Sequence, residues 1–216
     1  MGFQTVNGLN QFLIDYPGMS TTPTNEDGIY LNGKFRFKAS VPNKEEIEDT
    51  YFLKIFIPND FPKDLPIVWE TDGKIPHIDD FHVNPDKTLC LGSPLRLLQI
   101  VHNNPSLTGF SEKCLVPFLY AISYKRKNGG NLILGELPHG EKGMLEDYSV
   151  LLGLDDKNQI KKAIKLLGIK KNKANKNLCP CGCGLRLGAC PFHRKLNEFR
   201  KMGSRSWFRS ISNLLN

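Results

Sequence analysis

Six prolines spaced along residues 58–94 constrain the fold of this chain more than any other feature: Pro58, Pro62, Pro66, Pro76, Pro85 and Pro94. Proline fixes the backbone angle φ and has no N–H to donate, so it excludes long helices and central strands wherever it recurs. This stretch is therefore predicted to be an ordered loop region, with the regular elements before and after it. Because long loops inside compact domains are usually functional, a site is expected here first.

The residues before this loop region have the pattern of a helix followed by strands. An amphipathic helix is predicted over about residues 3–16, which place apolar side chains at helical spacing. Apolar and polar residues alternate over 35–41, and the Asn-Gly pair at 32–33 is typical of a hairpin turn. Further strands are predicted at 51–57 and 67–70, where aromatic and β-branched residues are concentrated. Together these strands predict an antiparallel meander with one buried face.

Beyond the loop region the predicted elements are helices. Residues 107–124 carry apolar side chains on a common face, and Cys114 on that face is a predicted core residue. A shorter apolar stretch follows at 144–154, and 156–169 has the pattern of a basic amphipathic helix. Residues 170–177, rich in lysine and asparagine, are predicted to be a linker.

Charge divides the chain into an acidic body and a basic tail. Up to Asp156, 14 Lys and Arg residues stand against 21 Asp and Glu residues, a net charge of −7. From Lys157 onward the numbers are 15 and one, a net charge of +14. Such a tail attracts nucleic acid, an acidic protein surface or anionic lipid. The alternative is that the lysines only keep a solvated linker and helix in solution.

Length and composition limit the class of protein. A chain of 216 residues with 40% hydrophobic content can bury one main core and carry a small appendage. The sequence has no apolar run long enough to span a membrane and no secretory signal, which predicts a cytoplasmic protein. Its six cysteines then indicate metal binding or reactive thiols rather than disulfides.

A family resemblance emerges from the order of these parts. The helix, hairpin and strand are followed by FIPNDFPKDLPIVWE and then by IPHIDDFHVNPDKTLCL. In this order residues 3–150 resemble the ubiquitin-conjugating (UBC) family, in which a proline-rich turn precedes a His-x-Asn loop and the catalytic cysteine. The resemblance implies an α+β fold with an N-terminal helix, a four-stranded antiparallel meander and C-terminal helices. It also implies that a ubiquitin-like modifier is received from an activating enzyme and transferred to an amine of a target.

The resemblance assigns roles to three residues of the loop. Cys90 matches the nucleophile, and Asn84 and His82 match the Asn and His of the family's His-Pro-Asn motif. Val83 replaces the proline, and Asn84 precedes Cys90 by six residues, fewer than in the common eukaryotic pattern. The HVNPDKTLCL form, with GELPHGEKG later, is similar to a divergent bacterial branch found in antiviral-defence and protein-modification operons. In that branch the target can be a cGAS-like nucleotidyltransferase.

A thioester at Cys90 also agrees with the chemistry of the surrounding residues. Thioester formation and cleavage pass through an oxyanion, which needs hydrogen-bond donors near the sulfur. Asn84, His82 and the backbone amides of 89–92 are the available donors. Two other interpretations stay open. A cysteine between two leucines is often a buried hydrophobic residue, and His82 could serve to hold the loop backbone.

Other polar residues could line a cleft beside this thiol. His139 and Asp86 are the first candidates. Glu136 and Glu141 could attract a lysine substrate, although any solvated loop carries such residues. A cysteine hydrolase that pairs the thiol with His102 or His139 is a further interpretation, but no local protease signature surrounds the cysteine.

A second cysteine site is predicted in the segment CPCGCGLRLGACPFH. Its C-x-C-x8-C-x2-H spacing suits tetrahedral zinc with sulfur and nitrogen ligands, namely Cys179, Cys181, Cys190 and His193. The segment resembles the SEC-C motif, with Cys183 in place of a serine. Cys183 is the alternative fourth ligand, and His193 is favoured because three cysteines on alternate residues would crowd one small ion. A closed site of this kind makes Zn²⁺ structural rather than catalytic.

The expected organisation has three parts. A UBC-like catalytic domain is expected at 1–155, a basic helix and linker at 156–177, and a SEC-C-like zinc module with a basic C-terminal helix at 178–216. The function predicted first is a conjugating enzyme with a zinc-bearing targeting tail. The alternatives are a non-catalytic binding module of the same fold and an adaptor that binds nucleic acid or protein through its tail. Trp207 and Phe208 could take part in such binding or pack the last helix.

Overall fold

The computed structural model describes residues 6–25, 27–133 and 140–215. Within these residues it shows a mixed α+β architecture with one four-stranded antiparallel sheet, which confirms the predicted fold class at this level. The strands are β1 (Met19–Asn25), β2 (Gly28–Ala39), β3 (Ile47–Pro58) and β4 (Ile67–Glu70). The helices are α1 (Leu9–Asp15), α2 (Pro94–Asn103), α3 (Leu107–Phe110), α4 (Val116–Asn128), α5 (Gly140–Leu152), α6 (Lys157–Leu167), α7 (Lys171–Ala174), α8 (Phe192–Met202) and α9 (Arg205–Leu214).

The sheet is a meander in which strands adjacent in sequence are adjacent in space, in the order β1-β2-β3-β4. Each pair is antiparallel. Along β3 the side chains of Tyr51, Leu53 and Ile55 are buried, whereas Phe52 between them is exposed. This alternation follows from the two-residue period of a strand and gives the sheet one buried face.

The prediction of a hairpin turn at the Asn-Gly pair is wrong, because β2 runs without interruption through Asn32 and Gly33. Gly33 has φ of +142°, and a Cβ built on it would lie 2.1 Å from the carbonyl oxygen of Gly18. The glycine therefore allows β1 to approach β2 closely rather than reversing the chain. Strands β2 and β3 are joined instead through residues 40–46.

Strand β1 and helix α2 have no counterpart among the predicted elements. Strand β1 has the sequence MSTTPTN, which lacks apolar alternation and forms an edge of the sheet, where polar residues and proline are tolerated. Helix α2 begins at Pro94, a favourable first helical position, and buries Leu95, Leu98 and Val101. Pro94 therefore ends the loop region by beginning a helix, whereas a proline inside a helix would interrupt it.

The helical stretch predicted at 107–124 is confirmed and extends to Asn128. A π-helical turn over Ser111–Leu115 joins α3 to α4. Pro117 follows this turn and has no N–H for a helical hydrogen bond, which is a recognised cause of such irregularity. Cys114 is 4% exposed, so its prediction as a core residue is confirmed.

Helix α4 packs against β2 and β3 through both apolar and polar contacts. The hydroxyl oxygen of Tyr51 lies 2.7 Å from Ser123 Oγ, and Ser123 Oγ donates to Asp49 Oδ2 at 2.8 Å. The hydroxyl of Tyr120 donates to the carbonyl oxygen of Glu45 at 2.8 Å. These bonds satisfy polar atoms that the packing of the helix on the sheet removes from water.

Compactness divides the chain into two units. The first comprises the described residues of 1–61, 65–92 and 100–136, and the second those of 62–64, 93–99 and 137–216. The first unit holds the sheet, and the second holds α5 to α9. In this division α5 belongs to the second unit, and the domain boundary expected at residue 155 stays a prediction.

The second unit has its own apolar core. Helix α6 contacts α8 and α9, and Ile164, Leu196 and Phe208 are buried. The basic amphipathic helix predicted at 156–169 is confirmed, and Asp156 caps it by accepting a hydrogen bond from the Gln159 amide at 2.9 Å. The predicted linker instead contains α7.

None of the helices in the described part of the chain is long and apolar enough to cross a membrane.

Candidate thiol and metal sites

Cys90 follows two residues that form isolated β-bridges, Thr88 with Trp69 of β4 and Leu89 with Val83. The amide of Leu89 donates to the carbonyl oxygen of Val68 at 2.8 Å. The next amide, that of Cys90, donates to the carbonyl oxygen of His82, also at 2.8 Å. The backbone at the thiol is therefore held by two hydrogen bonds. Leu89 bonds to β4, and Cys90 bonds to the loop that precedes it.

A tight turn over residues 84–87 precedes the thiol, and Thr88 holds it together. The Asn84 amide donates to the Thr88 carbonyl at 2.9 Å, and Asn84 Nδ2 donates to Thr88 Oγ1 at 2.9 Å. Asp86 Oδ1 accepts from the Thr88 amide at 3.0 Å and from its hydroxyl at 2.6 Å. The side chains of Asn84 and Asp86 are thus both engaged in shaping this turn.

Cys90 is half-buried. Burial raises the pKa of the Cys90 thiol above its usual value, and a hydrogen bond from the backbone amide of Gly92 opposes that shift. Gly92 has φ of +146°, a conformation that favours glycine. Of the backbone donors predicted around the sulfur, the Gly92 amide is the one that the structure directs at it.

His82 supports the same backbone from the other side. Its φ is +53°, in the left-handed region, where a non-glycine residue is uncommon and is held by its surroundings. Its carbonyl oxygen accepts the Cys90 amide, so a structural role of the residue is visible whatever its imidazole does. His102, considered as a partner of the thiol in a hydrolase, is exposed near the end of α2.

The other cleft candidates are placed differently. His139 and Glu136 lie outside the residues that the structure describes. Glu141 on α5 forms ion pairs with Lys161 at 2.9 Å and Lys157 at 3.0 Å, within the second unit. Hydrogen bonds from these two lysines hold the pKa of the Glu141 carboxyl below its usual value. Its charge is therefore already compensated by α6.

The predicted metal site forms a compact group of four sulfur atoms. The Sγ atoms of Cys179, Cys181, Cys183 and Cys190 all lie within 4.8 Å of one another. Cys179 Sγ and Cys181 Sγ are 3.1 Å apart, and Cys181 Sγ and Cys190 Sγ are 3.6 Å apart. A tetrahedron of sulfurs at zinc–thiolate bond length has edges of about 3.8 Å. The four cysteines could therefore hold a metal ion.

Two glycines allow cysteines on alternate residues to surround one point. Gly182 and Gly184 have φ of +80° and +77°, in the left-handed region that glycine adopts readily. They turn the chain after Cys181 and again after Cys183, so that both sulfurs face the same centre. Three cysteines on alternate residues therefore need not crowd one ion. The C-G-C-G sequence indicates this, because each glycine can reverse the direction of the chain.

Backbone amides point at each of the four sulfurs. The amides of Cys181, Cys183 and Leu185 hydrogen-bond to the sulfurs two residues earlier, and the Phe192 amide donates to Cys190 Sγ at 3.5 Å. Hydrogen bonds with the neighbouring thiols, that of Cys179 foremost, lower the pKa of Cys181 to about 7, whereas burial raises the pKa of Cys179. Amides directed at sulfur favour thiolates, which are the form that binds metal.

His193 is not a member of the four-sulfur group. Its Nδ1 lies 2.7 Å from the carbonyl oxygen of Cys190 and therefore donates to it. His193 was the favoured fourth ligand and Cys183 the alternative, whereas the structure gathers Cys183 with the other three cysteines.

Comparison with known proteins adds no identification to this geometry: no family model matches the chain, and neither the curated proteins nor the solved structures give a match.

Proposed function

We propose that this chain is a conjugating enzyme of the ubiquitin type, in which Cys90 carries the C-terminus of a ubiquitin-like modifier as a thioester. The observation that carries the proposal is the position of Cys90. Cys90 is half-buried, follows the last strand of a four-stranded antiparallel meander, and receives the Gly92 amide at its sulfur. The order of helix, meander, thiol-bearing loop and helices supports a UBC-like fold for the first unit.

The proposed reaction has two steps. In loading, the thiolate of Cys90 attacks the thioester carbonyl carbon on an activating enzyme, whose own thiolate leaves. In transfer, a lysine amine attacks the Cys90 thioester, so that a C–N bond forms, the C–S bond breaks and the amine proton passes to solvent. Each step passes through an oxyanion that neighbouring N–H groups stabilise.

In this proposal Asn84, in the turn before the thiol, is one such donor. Asn84 Nδ2 has two hydrogens, and the bond to Thr88 occupies one of them. The other remains for the oxyanion, while the bonds to Thr88 keep the amide oriented. Asp86 acts in this proposal through the turn alone, because its carboxylate accepts both Thr88 donors.

We also propose that zinc is the metal of the four-cysteine group. A soft, tetrahedral thiolate set suits zinc, and four protein ligands leave no open position for a substrate, so the ion would be structural. Zinc with four thiolates carries a charge of about −2, which the surplus of 14 positive charges beyond Asp156 offsets. The role of this module would be to deliver the loaded enzyme to its target.

The partners implied are a ubiquitin-like modifier, its activating enzyme and a protein target. The bacterial branch that the loop resembles makes a cGAS-like nucleotidyltransferase the first target to test.

The test of the proposal is an intact-mass experiment. The protein is incubated with Mg-ATP, a ubiquitin-like modifier and the activating enzyme of that modifier. Wild type and Cys114→Ala, which removes a buried thiol, should gain one modifier mass that a reducing agent removes. Cys90→Ser should give a reductant-stable ester or nothing, and Cys90→Ala nothing. An adduct of equal yield on Cys90→Ala would reject the proposal.

A further inference from the structure

A basic cavity of about 420 Å³ lies within the second unit, away from the cysteine cluster in sequence. Four cationic side chains line it: Lys170, Lys171, Arg200 and Arg205. They come from three places in the chain, namely the residues around the start of α7, the last turn of α8 and the first residue of α9. Folding therefore brings together like charges that repel one another.

Arg200 lines the cavity with hydrogen bonds to neutral groups rather than to a carboxylate. Its Nη2 donates to the carbonyl oxygen of Leu166 at 2.9 Å and its Nη1 to Asn197 Oδ1 at 3.4 Å, both neutral acceptors. Its Nε is buried and has no hydrogen-bond partner in the described part of the chain. Withdrawing a guanidinium from water without an opposing charge is unfavourable. A bound anion would remove that penalty.

The four cations have no salt-bridge partner among the described residues. Glu198 is the one acidic residue after Asp156, and its carboxylate pairs with Lys201. The carboxylate of Asp64 accepts a hydrogen bond from Ser204, between the lining residues Gly203 and Arg205, so one negative charge lies beside a cavity lined by four cations.

The remaining lining limits the shape of the ligand. Leu167 and Ile169 provide an apolar wall, and Gly203 lets the backbone approach the cavity without a side chain. An arginine pair with two lysines suits a phosphate, which accepts several charge-assisted hydrogen bonds at once. An apolar wall beside it suits the sugar or base attached to that phosphate.

We propose that this cavity binds the phosphate group of a nucleotide, with Arg200 and Arg205 on the phosphate oxygens and the apolar wall against the rest of the nucleotide. The phosphate could belong to a free mononucleotide or to a nucleotide within a strand. Neither Cys90 nor the four cysteines line this cavity, so its binding of phosphate can be tested separately from the conjugating function.

The test measures binding by the intact protein of three probes: inorganic phosphate, AMP and a single-stranded DNA 10-mer. Lys171→Gln and Arg205→Gln remove exposed cavity cations, and each should weaken binding about tenfold, the effect of losing one charge-assisted hydrogen bond. Arg200→Lys keeps a positive charge but loses the planar fork and should weaken binding by a similar factor. The matched control is Lys201→Gln, because Lys201 follows Arg200 but does not line the cavity. Thermal melting of each variant checks that it is folded.

The outcomes distinguish the two sources of phosphate. Tight AMP binding that the cavity variants weaken and the control does not would support a free nucleotide. Binding of the 10-mer alone, with the same variant pattern and a salt slope reduced in the cavity variants, would support a strand. Equal loss in Lys201→Gln and the cavity variants would show diffuse attraction to the tail and overturn the proposal. So would the absence of binding by every probe.

Discussion

At the scale of single residues, the protonation of Cys90 governs its chemistry. Burial raises the pKa of this thiol, so the thiol form dominates at neutral pH and the thiolate fraction rises as pH increases towards that pKa. The alkylation rate of Cys90 by iodoacetamide should therefore rise about tenfold per pH unit from about pH 7 to pH 9. Peptide mass spectrometry of Cys90 follows the rate, and a plateau below about pH 8 would contradict the raised pKa.

The four-sulfur group predicts which residue matters for metal affinity. Cys183→Ser removes a sulfur of the group and should weaken zinc binding by at least about tenfold. His193→Ala removes only the hydrogen bond to the Cys190 carbonyl and should leave zinc affinity within about twofold. Competition with a chromogenic chelator measures both. A larger loss of zinc affinity in His193→Ala than in Cys183→Ser would show that His193, and not Cys183, is the fourth ligand.

At the scale of elements, the close pairing of β1 with β2 depends on Gly33. In Gly33→Ala the added Cβ would meet the Gly18 carbonyl oxygen at 2.1 Å, so the two strands must separate. We expect a loss of about 2–3 kcal/mol in the free energy of unfolding. Gly73→Ala is the control, because it also has positive φ but nothing within 4 Å of the new Cβ. Urea unfolding should show the larger loss for Gly33→Ala, and equal losses would count against the tight pairing.

The packing of α4 on β3 should be sensitive to acid. Burial opposes ionisation of Asp49, but hydrogen bonds from Lys74, Ser123 and the Thr50 amide hold the pKa of its carboxyl below the usual value. A carboxyl with a lowered folded-state pKa stabilises the fold above its unfolded pKa, about 3.9, and that stability is lost as pH falls through the folded value. Wild type should thus lose stability below about pH 4.

The matched variant for this acid dependence is Asp49→Asn. It should be less stable than wild type at pH 7 by about 1–3 kcal/mol, because it loses the charge-assisted bonds to Lys74 and Ser123. Its stability should fall less steeply than that of wild type between about pH 4 and pH 2. Thermal melts across pH measure both slopes, and parallel curves would show that Asp49 does not contribute.

Elements with a strong local pattern of apolar residues could be predicted from the sequence. Elements that depend on hydrogen bonding to a neighbouring strand could not. The strand over 67–70 and the helix over 156–169 have local apolar patterns and were predicted. Strand β1 has no such pattern, since it is stabilised by the ladder to β2. The Asn-Gly pair at 32–33 is a common turn signal, yet close approach of a neighbouring strand needs the same glycine.

The candidate sites divide in the same way. Cysteine spacing predicted the metal cluster, whereas Cys90 was singled out by the proline-rich turn and His-x-Asn loop that resemble the UBC family. Sequence favoured His193 over Cys183, since the effect of Gly182 and Gly184 on chain direction depends on backbone angles that spacing does not report. The engagement of Asn84 with Thr88 likewise becomes visible only when the turn is formed.

At the scale of the whole molecule, the acidic and basic parts of the sequence indicate separate tasks. The part up to Asp156 has a net charge of −7 and contains Cys90, and the part from Lys157 has a net charge of +14 and contains the four-cysteine group. In the proposed function the first part performs acyl transfer, and the second binds metal and an anionic partner. That account depends on one covalent bond, the thioester at Cys90.

The most direct measurement is peptide mapping of the loaded protein under non-reducing conditions at mildly acidic pH, where thioesters persist. The protein, charged with the modifier and its activating enzyme, is digested and the peptide containing Cys90 is fragmented. The account predicts the C-terminal residues of the modifier on the Cys90 sulfur, released by reductant. A modifier found only on lysines, or an unmodified Cys90 peptide in a sample with a full intact-mass shift, would contradict it.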